Sequence, residues 1–344
     1  MEVTMYKGKT LGVVVPAYNE AGFVGRVIET VPSVVDRVYA IDDRSTDGTW
    51  AEIRETARKE NERTARPYAI ANGGTDGGTT LFDEPVVALR NEENRGVGGT
   101  IKRGYAHALA DGIEVVAVMN GDGQMDPANL DRIIDPVVEG RADFAKGNRL
   151  VGREFRKGMS PWRVFGNTVL TLLTKIASGY WKTMDPQNGY TAISANAIET
   201  VRFETLYEDY GFCNDLLISL NANNMRVADV AMPAVYGEES STIVYSRFIP
   251  RLSGLLVRKF LWRINTKYLM TDFHPLAFLY YLGAGTLALA VGALAQAARP
   301  SRRSADPVGW VASSILFFCG FLSIIAAMIL DMRTNEHLEE RFHD

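Results

Sequence analysis

The chain has 344 residues, 37 of them basic and 41 acidic, for a formal net charge of −4. That length suits one large domain with an appendage, and the charge balance excludes the strongly basic surface of a nucleic-acid binder. Two cysteines, Cys213 and Cys319, stand far apart in unlike contexts, so neither a disulfide framework nor a zinc site is expected, and the polar part of the chain is placed in a reducing compartment.

Residues 1–9 are polar and the apolar stretch after them is only strand-length, so no signal peptide is expected. Residues 11–16, LGVVVP, read as a first strand, and Phe23, Val27, Ile28 and Val31 follow at helical spacing. A second strand over 37–41 ends in Asp42 and Asp43, and Ser45, Thr46 and Asp47 offer caps for a helix over 50–59. The polar stretch after it closes in NGGTDGGTT at 72–80, a loop pattern. A third strand (86–90), a third helix (101–109) and a fourth strand (115–119) complete the series. Strands alternating with helices predict parallel β-α-β units with helices on both sheet faces. Ligands of such sheets gather at the carboxyl ends of the strands, and all four strands end in polar or glycine-rich loops: PAYNE, DDRSTDGT, RNEENRGVGG and NGDGQMDP.

From about Pro233 the composition changes. Residues 247–268 interleave basic and large apolar side chains, the pattern of an amphipathic helix lying on a membrane; a surface helix packed on its own domain is the alternative. Residues 276–298 and 308–330 contain no charge, and each exceeds the ~20 apolar residues that cross a bilayer as a helix. The short turn between them predicts a hairpin with both flanks on one side. Basic residues occur on the flanks and in the turn alike, so the charge bias for cytoplasmic flanks is weak. The expected organisation is an α/β domain over 1–232, a membrane-surface segment over 233–273, two spans within 274–332 and a polar tail over 333–344. Gly283 and Gly285 offer a small-residue signal for helix packing in the first span.

The four loops carry the chemistry. In VVVPAYNE (13–20), IDDRSTDGT (41–49), NRGVGGTIKRGYAHAL (94–109) and MNGDGQMDP (119–127), the chain resembles family 2 glycosyltransferases of the GT-A fold. Within that family it is most similar to polyprenyl-phosphate and dolichyl-phosphate hexosyltransferases, over about residues 10–250. The resemblance implies an inverting transfer of one hexose from a UDP- or GDP-sugar to a polyprenyl or dolichyl phosphate, with Mg²⁺ or Mn²⁺ on the donor diphosphate. It implies that Pro16, Tyr18 and Glu20 line the base and ribose and that Asp42 closes the other side. Asn120 and Gly121 would then belong to the donor-binding loop, Asn120 able to coordinate or hydrogen-bond through its oxygen, while Asp122 holds the metal and Gln124 adds a carbonyl oxygen or a water-mediated contact. Glycines on both sides of Asp122 leave room for phosphate oxygens beside the backbone; the bland alternative is an Asp-Gly turn. Likewise Glu20 has the option of capping the next helix, and Asp43 of bonding amides in its own turn. Family members usually begin this motif with aspartate, so Asn120 removes one negative charge.

Gly96, Gly98 and Gly99 stand at a helix start, where backbone N–H groups attract anions, and are expected to frame the donor pocket. They do not follow G-x-G-x-x-G, which argues against a dinucleotide oxidoreductase. Lys102 reads as donor-facing or solvated. Residues 146–149, 185–190 and 211–215 resemble the family's acceptor-side elements, with Asp215 at its acidic position and Arg149 as a candidate cation for the acceptor phosphate. Arg247 and Arg251 serve the same phosphate or lipid headgroups, and residues 236–242 resemble the loop near the phosphates without its usual lysine. A phosphate acceptor is already anionic and needs cations; a lipid-linked saccharide, the alternative acceptor, needs Asp215 as a base. A degenerate scaffold subunit is the non-enzymatic alternative, motivated by Asn120 alone. The chain lacks the Q-x-x-R-W element of processive synthases, so a single transfer is expected. Nucleotide sugars are cytosolic, which places the catalytic domain on the cytoplasmic side of a bilayer, expected to be the plasma membrane of a prokaryote.

Overall fold

A computed structural model describes residues 5–71, 82–150, 161–233, 245–297 and 307–342. The first strands are β1 (Leu11–Ala17), β2 (Arg37–Asp42), β3 (Val86–Arg90) and β4 (Val115–Val118), joined by helices α1 (Val24–Thr30), α2 (Thr49–Ala71) and α3 (Gly96–Ala110). They lie parallel in the order β3-β2-β1-β4, with Val15 opposite Ala40 and Val14 opposite Val118. Every residue of β1 and β4 is buried, as parallel strands covered on both faces must be. Alternate residues of β1 feed different cores: Val13 and Val15 join α1 residues together with Ile133 and Ile134, and Val14 joins Ile101 and Tyr105 of α3.

The second half adds α4 (Leu130–Val138), β5 (Phe144–Asn148), α5 (Pro161–Ser178), β6 (Thr191–Ser194), α6 (Ala195–Thr200), α7 (Phe212–Ala222) and β7 (Val227–Ala231). β6 inserts antiparallel between β4 and β5, so the sheet is mixed. The helices outrun the sequence pattern: α2 continues to Ala71, and α3 begins at Gly96 rather than at 101.

Beyond the sheet come α8 (Tyr245–Asn265), a π-helical turn (Thr266–Thr271), α9 (Pro275–Ala297), α10 (Pro307–Asn335) and β8 (Glu339–Phe342). Two helical stretches, Pro275–Gln296 and Val308–Leu338, are long and apolar enough to cross a membrane. They pack against each other through small residues: a Cβ on Gly283 would stand 2.9 Å from the Gly320 carbonyl oxygen, and Ser323 donates to the Leu279 carbonyl at 3.0 Å. Gly283 therefore serves this hairpin, whereas Gly285 meets nothing within 4 Å. The turn at 299–306 lies outside the described residues.

The polar tail read from the sequence contains a strand. β8 pairs parallel with β7, Val227 opposite Glu339, and forms the sheet edge. The Glu339 carboxylate accepts the backbone N–H groups of Trp181 (2.7 Å), Lys182 (2.6 Å) and Thr183 (2.9 Å). A four-residue EERF strand is too short and charged to show a period-two pattern.

A buried polar junction fastens the hairpin to the domain. Arg263 of α8 makes a bidentate pair with Asp331 of α10 (3.0 and 2.9 Å), both fully buried, and donates to the Ala177 carbonyl at the end of α5. Lys267 donates to the Asn221 carbonyl (2.8 Å) and to Asn335 (2.7 Å), and the Tyr268 hydroxyl donates to Asp331 (2.7 Å). Five segments, α5, α7, α8, the π turn and α10, thus share one hydrogen-bonded knot.

Candidate functional site

The carboxyl ends of β1 and β2 are stitched together before any ligand arrives. Asn19, in left-handed backbone conformation at φ 57°, accepts Thr46 N–H at 2.9 Å on its side-chain oxygen. Its own N–H donates to the Ser45 hydroxyl (3.0 Å), and Glu20 N–H donates to the Thr49 hydroxyl (2.8 Å). The loop is thus preorganised, with the Tyr18 ring 47% exposed on it and Glu20 half-buried. The Pro16 carbonyl accepts Gly121 N–H at 3.0 Å, which joins the end of β1 to the loop after β4.

Asp42 is fully buried at the end of β2. One oxygen accepts Ser45 N–H (3.1 Å) and the other meets Arg90 Nε at 2.8 Å. Arg90 stands directly opposite Asp42 in the β2–β3 register, a third of its side chain exposed. Sequence reasoning missed Arg90, although it too closes a strand at its carboxyl end. Asp43 reaches beyond its own turn: it accepts from Asn91 (2.7 Å) and from Arg95 N–H (2.8 Å), tying the start of α3 to β2.

After β4 the backbone turns through Gly123 at φ +70°, and the half-buried Asp122 accepts Gln124 N–H at 3.0 Å. A Cβ on Gly121 would stand 3.0 Å from the Ala17 side chain and 3.2 Å from the Pro16 carbonyl oxygen, so the position admits only glycine comfortably. Asn120 Oδ1 is buried and has no hydrogen-bond partner. Among the described residues no three His, Cys, Asp or Glu side chains cluster for a metal. One carboxylate plus amide oxygens is the sparse, hard donor set that suits Mg²⁺ or Mn²⁺ shared with substrate phosphates, and the orphaned oxygen of Asn120, two residues before Asp122, fits it.

The 185–190 segment lies against this loop. A Cβ on Gly189 would meet Asn120 Nδ2 at 3.2 Å, and the Tyr190 hydroxyl donates to the Asp126 carbonyl at 3.2 Å. Asp185, buried at φ 48°, receives Arg149 through Nε (2.7 Å) and Nη2 (3.0 Å). Against the upward push of burial, Arg149 holds Asp185 below the usual carboxylate range, with help from Lys146. Gln187 donates to Asn214, the neighbour of Asp215.

Asp215 sits in the first turn of α7 and is 1% exposed. Its Oδ2 accepts Tyr207 N–H at 2.9 Å. Lys259 Nζ of α8 lies 2.7 Å from Oδ1, an ion pair off the hydrogen-bonding direction, since that oxygen has no hydrogen-bond partner. The sequence offered no signal for Lys259, one basic residue among several on its helix. Arg251 is exposed, the Arg247 side chain lies outside the described residues, and so does the loop at 236–242.

The glycine-rich start of α3 differs from expectation. Gly99 N–H donates to the Glu208 carbonyl at 3.0 Å, and a Cβ on Gly98 would fall 2.7 Å from the Tyr207 carbonyl oxygen. The glycines admit a protein backbone. Lys102 is neither donor-facing nor solvated: it is buried and donates to the carbonyls of Glu204 (2.7 Å) and Leu206 (3.0 Å) and to the Glu208 carboxylate (2.9 Å). Pro16, Tyr18, Glu20, Asp42, Asn120, Gly121, Asp122 and Gln124 thus share the carboxyl edge of β1, β2 and β4. Arg149 belongs to the adjoining 185–190 segment, and Asp215 connects to it through Asn214 and Gln187.

A profile of glycosyl transferase family 2 matches residues 12–202. The UDP-N-acetylglucosamine–dolichyl-phosphate N-acetylglucosaminyltransferase of Methanococcus voltae is 25% identical over 233 residues, 67% of this chain and 88% of that protein. The polyprenol monophosphomannose synthase of Mycolicibacterium smegmatis is 26% identical over 263 residues, 73% of this chain and 84% of that one. Among solved structures, glucosyl-3-phosphoglycerate synthase from Mycobacterium tuberculosis, with Mn²⁺, UDP and phosphoglyceric acid, is 19% identical with a TM-score of 0.49, covering 74% of this chain and 78% of that one. The mixed sheet flanked by helices is a GT-A-like α/β fold.

Proposed function

Because the chain belongs to glycosyl transferase family 2, we propose that it moves one hexose from a UDP- or GDP-sugar to a polyprenyl or dolichyl phosphate at a membrane surface, with inversion. The lipid-phosphate acceptors named for its relatives support this, as do the two apolar helices. In this reading the exposed Tyr18 stacks on the base, Pro16 and Glu20 line the ribose, and Asp42 with Arg90 closes the base end. Asp122 and Asn120 would hold Mg²⁺ or Mn²⁺, with Gln124 adding a carbonyl oxygen or a water-mediated contact. The ion, when bound, supplies Lewis-acid stabilisation of charge on the departing diphosphate.

The observation that carries the acceptor class is Asp215. It is buried, one oxygen held by a backbone N–H and the other beside an ammonium, so it is not offered as a general base. A phosphate oxygen is anionic at neutral pH and needs none: it attacks the anomeric carbon as the bond to the nucleoside diphosphate breaks. The catalytic domain faces the cytosol, where nucleotide sugars are made, and a prokaryotic plasma membrane is the proposed site.

Detergent-solubilised protein given labelled UDP- and GDP-sugars with a polyprenyl phosphate is the direct test. Label should enter the lipid fraction, vanish with EDTA and fall roughly a hundredfold or more in Asp122→Ala. Transfer that survives both EDTA and Asp122→Ala would sink the metal-site assignment. Nucleotide-sugar binding without lipid labelling would sink the acceptor.

A further inference from the structure

The cations around the acceptor end of the site are mostly committed to protein partners. Arg149 is clamped by Asp185, Lys146 pairs with Asp229 at 2.7 Å, and Lys102 holds the 204–208 turn. Lys259 differs in three ways. It stands on α8, the helix that leads into the membrane hairpin, among the exposed side chains Val257, Leu261 and Trp262. Its partner Asp215 is reached at 2.7 Å without a hydrogen bond, and the ammonium lies 5.3 Å from the Trp262 ring. Its side chain keeps 16% of its surface exposed, against 2% for Lys146 and 8% for Lys102; Arg149 is more open at 28%, but its fork is taken by both oxygens of Asp185.

We propose that Lys259 binds the acceptor's phosphate group, with Asp215 as its permanent counterion. An ammonium carries three donors, enough to retain the carboxylate and take a phosphate oxygen as well. Asp215 cannot be left alone, because a buried carboxylate stripped of its cation is strongly destabilising; the ammonium therefore bridges the two anions. α8 leads through the π turn into α9 and sets this charge among exposed apolar side chains suited to the first isoprene units. Gln187, Asn214 and Gly189 link the same spot to Asn120 and the donor loop. This assignment rests on the lipid-phosphate reading above and names the residue that recognises the acceptor.

The test measures KM separately for polyprenyl phosphate and for the nucleotide sugar. Lys259→Gln should raise the acceptor KM roughly tenfold or more, the loss of one charge-assisted contact, with the donor KM within about twofold, and Lys259→Arg should recover much of the loss. Because the single substitution strands Asp215, the charge-neutral pair Lys259→Gln with Asp215→Asn serves as the folded control and should show the same raised acceptor KM. An unchanged acceptor KM in the pair, or equal rises in both KM values, would overturn the assignment while leaving the lipid-phosphate reading intact. A wild-type enzyme that binds nucleotide sugar yet transfers nothing to the lipid would overturn both.

Discussion

In the proposed reading, Asn120 is the residue on which metal binding at the donor end depends. A buried amide oxygen without a partner costs about 1–3 kcal/mol, and the chain keeps one two residues before Asp122. Where the related motif begins with aspartate, this chain offers a neutral oxygen, so the cation is expected to bind with less charge behind it. Asn120→Asp should lower the Mn²⁺ concentration for half-maximal nucleotide-sugar binding by several-fold to about tenfold, and should destabilise the metal-free protein. An unchanged metal titration would show that this oxygen faces no cation. The position of Asp122, Gly121 and Tyr18 at strand ends was legible in the sequence because their own neighbours announce those ends. Arg90 and Lys259 were not, because each acquires its meaning from a partner 48 or 44 positions away.

Among the elements, α3 shows most plainly how one pattern serves two purposes. Glycine permits close approach of a phosphate or of another main chain, and a single sequence does not distinguish them. Here the approaching group is the 207–208 backbone, whose Tyr207 N–H in turn holds Asp215. Gly98→Ala would place a methyl 2.7 Å from the Tyr207 carbonyl oxygen and 2.8 Å from both the Glu208 carbonyl oxygen and the Phe212 Cβ. The expected cost is ~1–3 kcal/mol, read as a thermal midpoint lower by several degrees. Turnover should fall further than donor affinity, since the displaced segment supports Asp215. Equal stability of the variant would mean that the loop yields freely and positions nothing. The helix itself was recognised but not its first turn, because three glycines in five residues suppress the helical signal that packing restores.

For the molecule as a whole, the knot between the hairpin and the domain sets a dependence on pH. Burial, with Arg263 beside it, pushes the Lys267 ammonium from its ordinary 10.5 down to about 7. The folded value lies below the unfolded one, so between about pH 7 and 10.5 the unfolded chain binds more protons, and stability rises with pH across that window. Below it the cost of the buried ammonium is present in full. The thermal midpoint in detergent should therefore climb from pH 7 to pH 9, and Lys267→Met should flatten the climb; an identical slope in the variant would exclude Lys267 as its source. The hairpin was legible from its charge-free runs. The knot was not, since an arginine in one helix and an aspartate 68 positions later look like ordinary flank charges until the fold makes them neighbours.

The returning strand imposes an order on biogenesis. β8 follows both apolar helices in the chain yet completes the edge of the sheet that begins at residue 11. A ribosome releases α9 and α10 before it releases the strand that covers β7 and the carboxylate that gathers the amides of residues 181–183. Until then β7 presents a bare strand edge, the kind of surface that invites pairing with other chains. Completion of the sheet is thereby tied to release of the whole hairpin, and a polypeptide stalled within α10 would carry an unfinished sheet.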